Sequence, residues 1–148
     1  MAIFCCSILL HANPIEGAEK AIESFKKTFS TAENVSWYKT GEHENCYYHV
    51  SFLLGVFQIK ATYNQQGDMV SGIRYYSPLY LPPNIATTLK KEYGGKTLFG
   101  VTETTNAEGA VTYFVKMYDD KKWYTVKIFP SGEFIEYEKY KRADIGIN

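Results

Sequence analysis

The chain has 148 residues, which suits one ordinary domain or two small halves that share a core. Its 16 basic residues balance 16 acidic ones, so no overall field favours nucleic acid, an anionic membrane or an acidic partner. Hydrophobic residues make up 45% and aromatic residues 16% of the sequence, which excludes a disordered chain and favours β-strands.

Residues 1–12 are predicted to be a signal peptide. The apolar run Ile3–Leu10 has the length of a signal h-region, is too short to span a bilayer, and is followed by Ala12 as the small residue before a cut at Asn13. No Lys or Arg precedes the run, so a start further upstream and a buried strand are the alternatives. Export predicts a periplasmic or secreted protein whose mature chain keeps Cys46 alone, without an intrachain disulfide.

The first structural element is predicted to be an amphipathic helix that starts at Asn13 and Pro14, because Asn caps free amides and Pro tolerates the first turn. Apolar side chains, ending with Phe25 and Phe29, recur every three or four residues, and Lys and Glu fill the opposite face. This helix is expected to pack on a sheet.

From Val35 the apolar period changes to two, which predicts four strands. The four segments read NVSWYKT, CYYHVSFLL, VFQIKATY and MVSGIRYY. NQQGD, between the third and the fourth, is typical of a hairpin turn.

The second half repeats this order. A helix over LPPNIATTLKKEYGG precedes the strands KTLFGVTET, VTYFVKMY, WYTVKIF and EFIEYEKY. A shift of about 65 residues lays Tyr48 on Tyr113, and such internal matches change the predicted topology. The prediction is an α+β fold of two tandem helix-plus-four-stranded-antiparallel-sheet repeats, residues 13–77 and 78–148, that form one compact domain.

Little in the sequence points to catalysis. Cys46 and His49 are three residues apart on one strand and therefore face opposite ways, which disfavours a nucleophile and base pair. His43 lies in the loop GEHEN, but zinc needs three or four converging ligands, so a solvated loop is favoured. The motifs G-x-S-x-G and H-E-x-x-H, a phosphate-binding Gly loop and a dinucleotide-binding fingerprint do not occur in the sequence. We therefore predict no enzyme activity, no metal and no cofactor.

The alternation also predicts a binding surface on the sheet. Aromatic rings and long polar chains, typical of interaction hot spots, are predicted to face away from the helices. The predicted partner-binding residues are Tyr47, His49, Gln58, Lys60, Phe114, Lys116, Tyr118, Trp123 and Lys127. The plainer interpretation is that every strand carries some aromatics, and a register error of one residue would place Phe114 and Trp123 in the core.

Several short patterns in sequence order resemble the PepSY-like proteins of bacterial envelopes. The matching stretches are Phe25–Phe29, Ala32–Trp37, Tyr48–Phe52, Ala61–Gly67, Leu81–Ile85 and Tyr113–Val115. Proteins of this class are typically exported and share a two-repeat architecture with β-lactamase inhibitor proteins. The resemblance implies a helix-backed, curved antiparallel sheet whose open face binds a protein or peptide, and it carries no established catalytic residues.

The sequence thus favours a non-enzymatic exported protein that binds a protein or peptide in the bacterial envelope, without nucleic acid and without a stable membrane span after signal removal. One alternative is a small-ligand carrier or enzyme with a closed, cone-shaped pocket. The nearly uniform apolar character of the inward strand positions argues against such a pocket. Another alternative is a purely structural module that pairs its edge strands.

Overall fold

The structure is a computed structural model that describes residues 15–42 and 45–142. The predicted signal peptide, the predicted cleavage point and the loop position His43 lie outside the described residues.

Two helices lie on the same side of the chain's sheet. Helix α1 spans Glu19–Thr28 and helix α2 spans Pro83–Tyr93, preceded by a short 3₁₀ turn at Pro78–Tyr80. The predicted helix start at Asn13 and Pro14 lies outside the described residues; among the described ones, residues 15–18 are not helical and Gly17 has a φ of +80°. A residue with positive φ cannot continue a right-handed helix, so α1 begins after it.

Eight strands occupy the segments in which apolar residues alternate. They are β1 Glu33–Thr40, β2 Tyr47–Leu54, β3 Phe57–Tyr63, β4 Met69–Tyr76, β5 Thr97–Asn106, β6 Val111–Tyr118, β7 Lys122–Ile128 and β8 Phe134–Lys141. All neighbouring pairs are antiparallel, in the order β1 to β8.

The predicted fold class is wrong in its central point. Instead of two tandem helix-plus-four-strand repeats, the described residues are mostly β and form one continuous eight-stranded antiparallel sheet with two helices. The strands β4 and β5 pair from Ser71 opposite Asn106 to Tyr76 opposite Val101, which joins the halves into one sheet. Alternation identifies the face that a side chain occupies but not the strand that lies alongside, so it does not predict this pairing across α2.

The core lies between the helices and the sheet, in two hydrophobic clusters. The first packs Phe25 of α1 on Tyr48 and Phe52 of β2, and the second packs Leu89 of α2 on Val115 of β6. Helix α1 is therefore seated on the β1–β4 half and α2 on the other half. Burial of whole apolar side chains in this way is the main stabilising term of such a fold.

The β3–β4 turn holds α1 in position. Gly67 in this turn has a φ of +89°, and a Cβ there would lie 2.8 Å from the carbonyl oxygen of Lys20 in α1. Only glycine permits both this conformation and this close approach. The two helices cover one face of the sheet, here called the helix face. They leave the opposite face uncovered, and this is called the open face.

Candidate functional site

The strand register places all the predicted partner-binding residues on the open face. Buried helix-face residues such as Val50 and Val115 alternate with them along β2, β3, β6 and β7. The residues so placed are Tyr47, His49, Gln58, Lys60, Phe114, Lys116, Tyr118, Trp123 and Lys127. Their role in binding stays a prediction.

An aromatic cluster occupies the β5–β8 part of the open face, formed by Phe99, Phe114, Tyr118, Trp123, Tyr137 and Tyr140. The ring of Trp123 lies 5.2 Å from that of Phe99, edge to face, and 4.9 Å from that of Tyr118, centroid to centroid. Phe99 keeps 62% and Tyr137 59% of its surface exposed. The rings therefore hold one another in place while they present a large apolar surface.

Two cations lie over these rings. The ammonium of Lys116 is 4.9 Å from the centre of the Trp123 ring and 5.6 Å from that of Tyr140. The guanidinium of Arg142, just after β8, is 4.4 Å from the ring of Tyr118. Such contacts restrain long, flexible side chains, so these side chains lose less conformational entropy when a partner binds.

The β1–β4 part of the open face is organised around His49. Its ring stacks on Tyr38 at 4.6 Å, Nε2 lies 2.7 Å from the Thr40 hydroxyl oxygen, and Nδ1 lies 3.0 Å from that of Thr62. Burial lowers the pKa of His49 below 6.5, so the ring is neutral at pH 7. Here His49 is a fixed hydrogen-bonding group between two hydroxyls.

Charge on the open face is unbalanced, although the whole chain is neutral. Across β1 to β8 the register brings Lys60, Lys116 and Lys127 to this face, together with the carboxylates Glu33 and Glu138. Arg142 reaches the same face through its contact with the Tyr118 ring. The open face therefore carries an excess of positive charge beside its aromatic cluster.

Sequence reasoning missed several members of the aromatic cluster. Phe99 lies at an irregularity in the β5–β6 register between Leu98 and Gly100, and strict alternation does not predict its face. Tyr137 lies beside a similar irregularity in the β7–β8 register. Tyr140 lies opposite Trp123 in the β7–β8 register, and its regular spacing from Glu138 was the available signal.

The structure does not bring together Cys46 and His49, the pair considered for catalysis. Cys46 is a free, buried cysteine of the first hydrophobic cluster on the helix face, whereas His49 lies on the open face. Over residues 15–42 and 45–142, no group of three or more His, Cys, Asp and Glu is placed to hold a metal ion. In the same part of the chain, neither helix has the length and apolar character required to cross a lipid bilayer.

Comparison with known proteins relates the chain to others through its fold. No family model matches the chain, and no curated protein sequence matches it at a significant level. A BLIP-like protein from Bacteroides fragilis has a similar structure, with a TM-score of 0.66 and 13% identity over 90% of this chain and 93% of that one. A DUF2874 family protein from Bacteroides uniformis has a TM-score of 0.61 and 22% identity, over 83% of this chain and 88% of that one.

A third similar structure is that of a Bacteroides eggerthii protein provisionally assigned to the periplasm. Its TM-score is 0.61 at 16% identity, over 83% of this chain and 87% of that one. The chain therefore has a BLIP-like fold that DUF2874 proteins share. The finer resemblance to PepSY-like proteins stays a prediction.

Proposed function

We propose that the chain is a non-enzymatic, exported binding protein of the PepSY-like class that recognises a protein or peptide on the open face of its sheet. The observation that carries the proposal is the aromatic cluster, a group of exposed rings held in place by one another and by Lys116 and Arg142.

The aromatic cluster has the composition of a binding hot spot. Trp, Tyr and Arg are the residues whose truncation most often costs an interface about 2 kcal/mol or more. Trp123 is surrounded by Phe99, Tyr118 and Lys116, so a partner that covers it removes water from several rings at once. Monomeric proteins seldom expose a contiguous apolar group of this kind without a function for it.

The excess positive charge indicates the character of the partner surface. Lys116, Lys127 and Arg142 lie on or beside the aromatic cluster, and Glu138 is the one carboxylate that the register of β2–β8 places on this face. A partner with carboxylates around an apolar centre would match both features. Its association rate would fall as the salt concentration rises, because exposed charges are screened within about 10 Å at 0.1 M ionic strength.

Export to the periplasm or the cell exterior is supported by the apolar run within residues 1–12, which suits a signal peptide. The PepSY-like resemblance and the provisional periplasmic assignment of the Bacteroides eggerthii protein point to the same compartment.

The test is affinity capture from envelope extract of the source organism with three forms of the chain: wild type, Trp123→Ala and Leu79→Ala. Leu79 lies in the 3₁₀ turn outside the sheet and is 89% exposed, so it is a matched apolar control away from the open face. We expect a specific protein to be held by wild type and Leu79→Ala, lost with Trp123→Ala and released by salt. A set of captured proteins that is identical for all three folded forms would contradict the proposal.

A further inference from the structure

A cavity lies on the helix face, beside the first hydrophobic cluster. It has a volume of about 290 Å³ and crosses the β4–β5 pairing, where neither helix is seated. Most of its wall is apolar. The apolar lining comes chiefly from Phe29, Leu54, Ile59, Ala61, Met69 and Val111.

One end of the cavity is charged. Arg74 of β4 and Glu103 of β5 are register partners and both line the cavity. The Arg74 Nε donates to Glu103 Oε1 at 2.9 Å, Arg74 Nη2 donates to the same oxygen, and the Tyr76 hydroxyl donates to Oε2 at 2.8 Å. Both carboxylate oxygens are therefore already occupied.

The guanidinium still has donors to offer. It carries five N–H groups, and its Nε and Nη2 donate to Glu103. Nη1 has no hydrogen-bond partner among residues 15–42 and 45–142, and 45% of the Arg74 side chain is exposed, against 6% for Glu103. An accessible polar group of the cavity is thus the Nη1 and Nη2 edge of a guanidinium whose Nε and Nη2 donate to Glu103.

We propose that this cavity binds a small carboxylic acid with an apolar tail. The carboxylate would accept hydrogen bonds from the Nη1 and Nη2 edge of Arg74, the paired geometry that guanidinium groups favour for carboxylates. The tail would lie along Ile59, Ala61 and Val111 and replace water there. At about 30 Å³ for each water-sized volume, the cavity holds roughly ten such volumes, which suits a straight chain of about eight carbons.

The Arg74–Glu103 pair has no net charge, but its accessible atoms are hydrogen-bond donors, and this geometry favours an anionic acceptor over other small ligands. A cation would have to approach a carboxylate whose oxygens are both engaged and would be repelled by Arg74. A neutral apolar molecule would gain no hydrogen bond from the outer edge of the guanidinium. A ligand with one carboxylate satisfies the donors and fills the apolar part at the same time.

The first experiment uses the wild-type chain and two probes that differ only in the head group, sodium octanoate and 1-octanol, in isothermal titration calorimetry. We expect octanoate to bind at least about tenfold more tightly than octanol, because only the carboxylate of octanoate accepts charge-assisted hydrogen bonds from Arg74. Absence of octanoate binding at millimolar concentration overturns the proposal, and so does equal affinity for the two probes.

The second experiment locates the site. Ala61→Leu adds bulk to the cavity floor, whereas Thr62→Leu makes a matched change one residue further on, on the open face. We expect octanoate affinity to fall at least about tenfold in Ala61→Leu and to stay within about twofold of wild type in Thr62→Leu. Equal affinity in the two variants would overturn the assignment. If Ala61→Leu fails to fold, the comparison of octanoate with octanol on the wild-type chain still tests the cavity. Affinity capture with Trp123→Ala tests the proposed function of the open face independently.

Discussion

Replacement of Arg74 by Met tests the ion pair that joins the two halves of the sheet. Glu103 is 6% exposed, so Arg74→Met leaves a buried carboxylate with only the Tyr76 hydroxyl, at 2.8 Å, as donor. Loss of one partner from a fully buried pair costs about 3–5 kcal/mol. Because Arg74 is 45% exposed and water already screens the pair, we expect about 2 kcal/mol here.

The companion variant Glu103→Gln is expected to cost less, about 1 kcal/mol, since Arg74 can be solvated and Tyr76 keeps an acceptor. The double variant Arg74→Met/Glu103→Gln is expected to match Glu103→Gln alone, because no buried charge remains. Equilibrium unfolding in urea, followed by circular dichroism, measures all three free energies of unfolding. The reasoning is refuted if Arg74→Met costs less than Glu103→Gln, or if the double variant is as unstable as the sum of the single ones.

Three further predictions concern stability. Val115→Ala, at a fully buried position of the second cluster, should lower the free energy of unfolding in urea by about 2 kcal/mol, and a loss under about 0.5 kcal/mol would be inconsistent with that packing. Hydrogen bonds from Tyr124, the backbone and Lys96 hold the pKa of Asp119 well below its ordinary 3.8. Wild type should therefore lose stability as the pH falls below 3.8, and Asp119→Asn should flatten that loss in acid titrations of the urea midpoint; an unchanged acid slope counts against the contact. Burial lowers the pKa of His49, so the folded state binds fewer protons than the unfolded state, and stability should fall as the pH drops below 6.5. In His49→Gln the melting temperature should lose that dependence between about pH 5 and pH 8, and identical pH profiles would disprove it.

Strand positions could be predicted from the sequence because burial on one face imposes a period of two. In β2 the alternation of Tyr48, Val50 and Phe52 with polar neighbours predicted the buried side, and the structure buries all three residues. The same reasoning predicted that Trp123 faces away from the helices. In the structure Trp123 pairs with Tyr118 of β6, and both lie on the open face.

Pairing between distant strands could not be predicted in the same way. Nothing local to Ser71–Tyr76 or to Val101–Asn106 states that these segments lie side by side, since α2 stands between them in the sequence. One weak signal was a charged residue at an inward position in each strand. Arg74 and Glu103 compensate each other only if β4 and β5 are neighbours.

Only some residues of the aromatic cluster could be predicted from the sequence, because alternation is reliable only where the strand register is regular. Regular alternation identifies Phe114 and Trp123 but not Phe99, which an irregularity in the β5–β6 register brings beside Trp123. Such an irregularity shifts the phase of a strand without changing its amino-acid pattern. The cavity around Arg74 likewise depends on where the helices do not lie, a property of packing that periodicity does not encode.

Hydroxyl-radical footprinting of the chain, alone and with the captured partner, would test the central claim most directly. The method reports the solvent exposure of individual aromatic side chains. Our account predicts that the partner protects Phe99 and Trp123 and leaves Tyr80, an exposed ring in the 3₁₀ turn, unchanged. Protection of Tyr80 with no change at Phe99 and Trp123 would place the partner elsewhere and contradict binding on the open face.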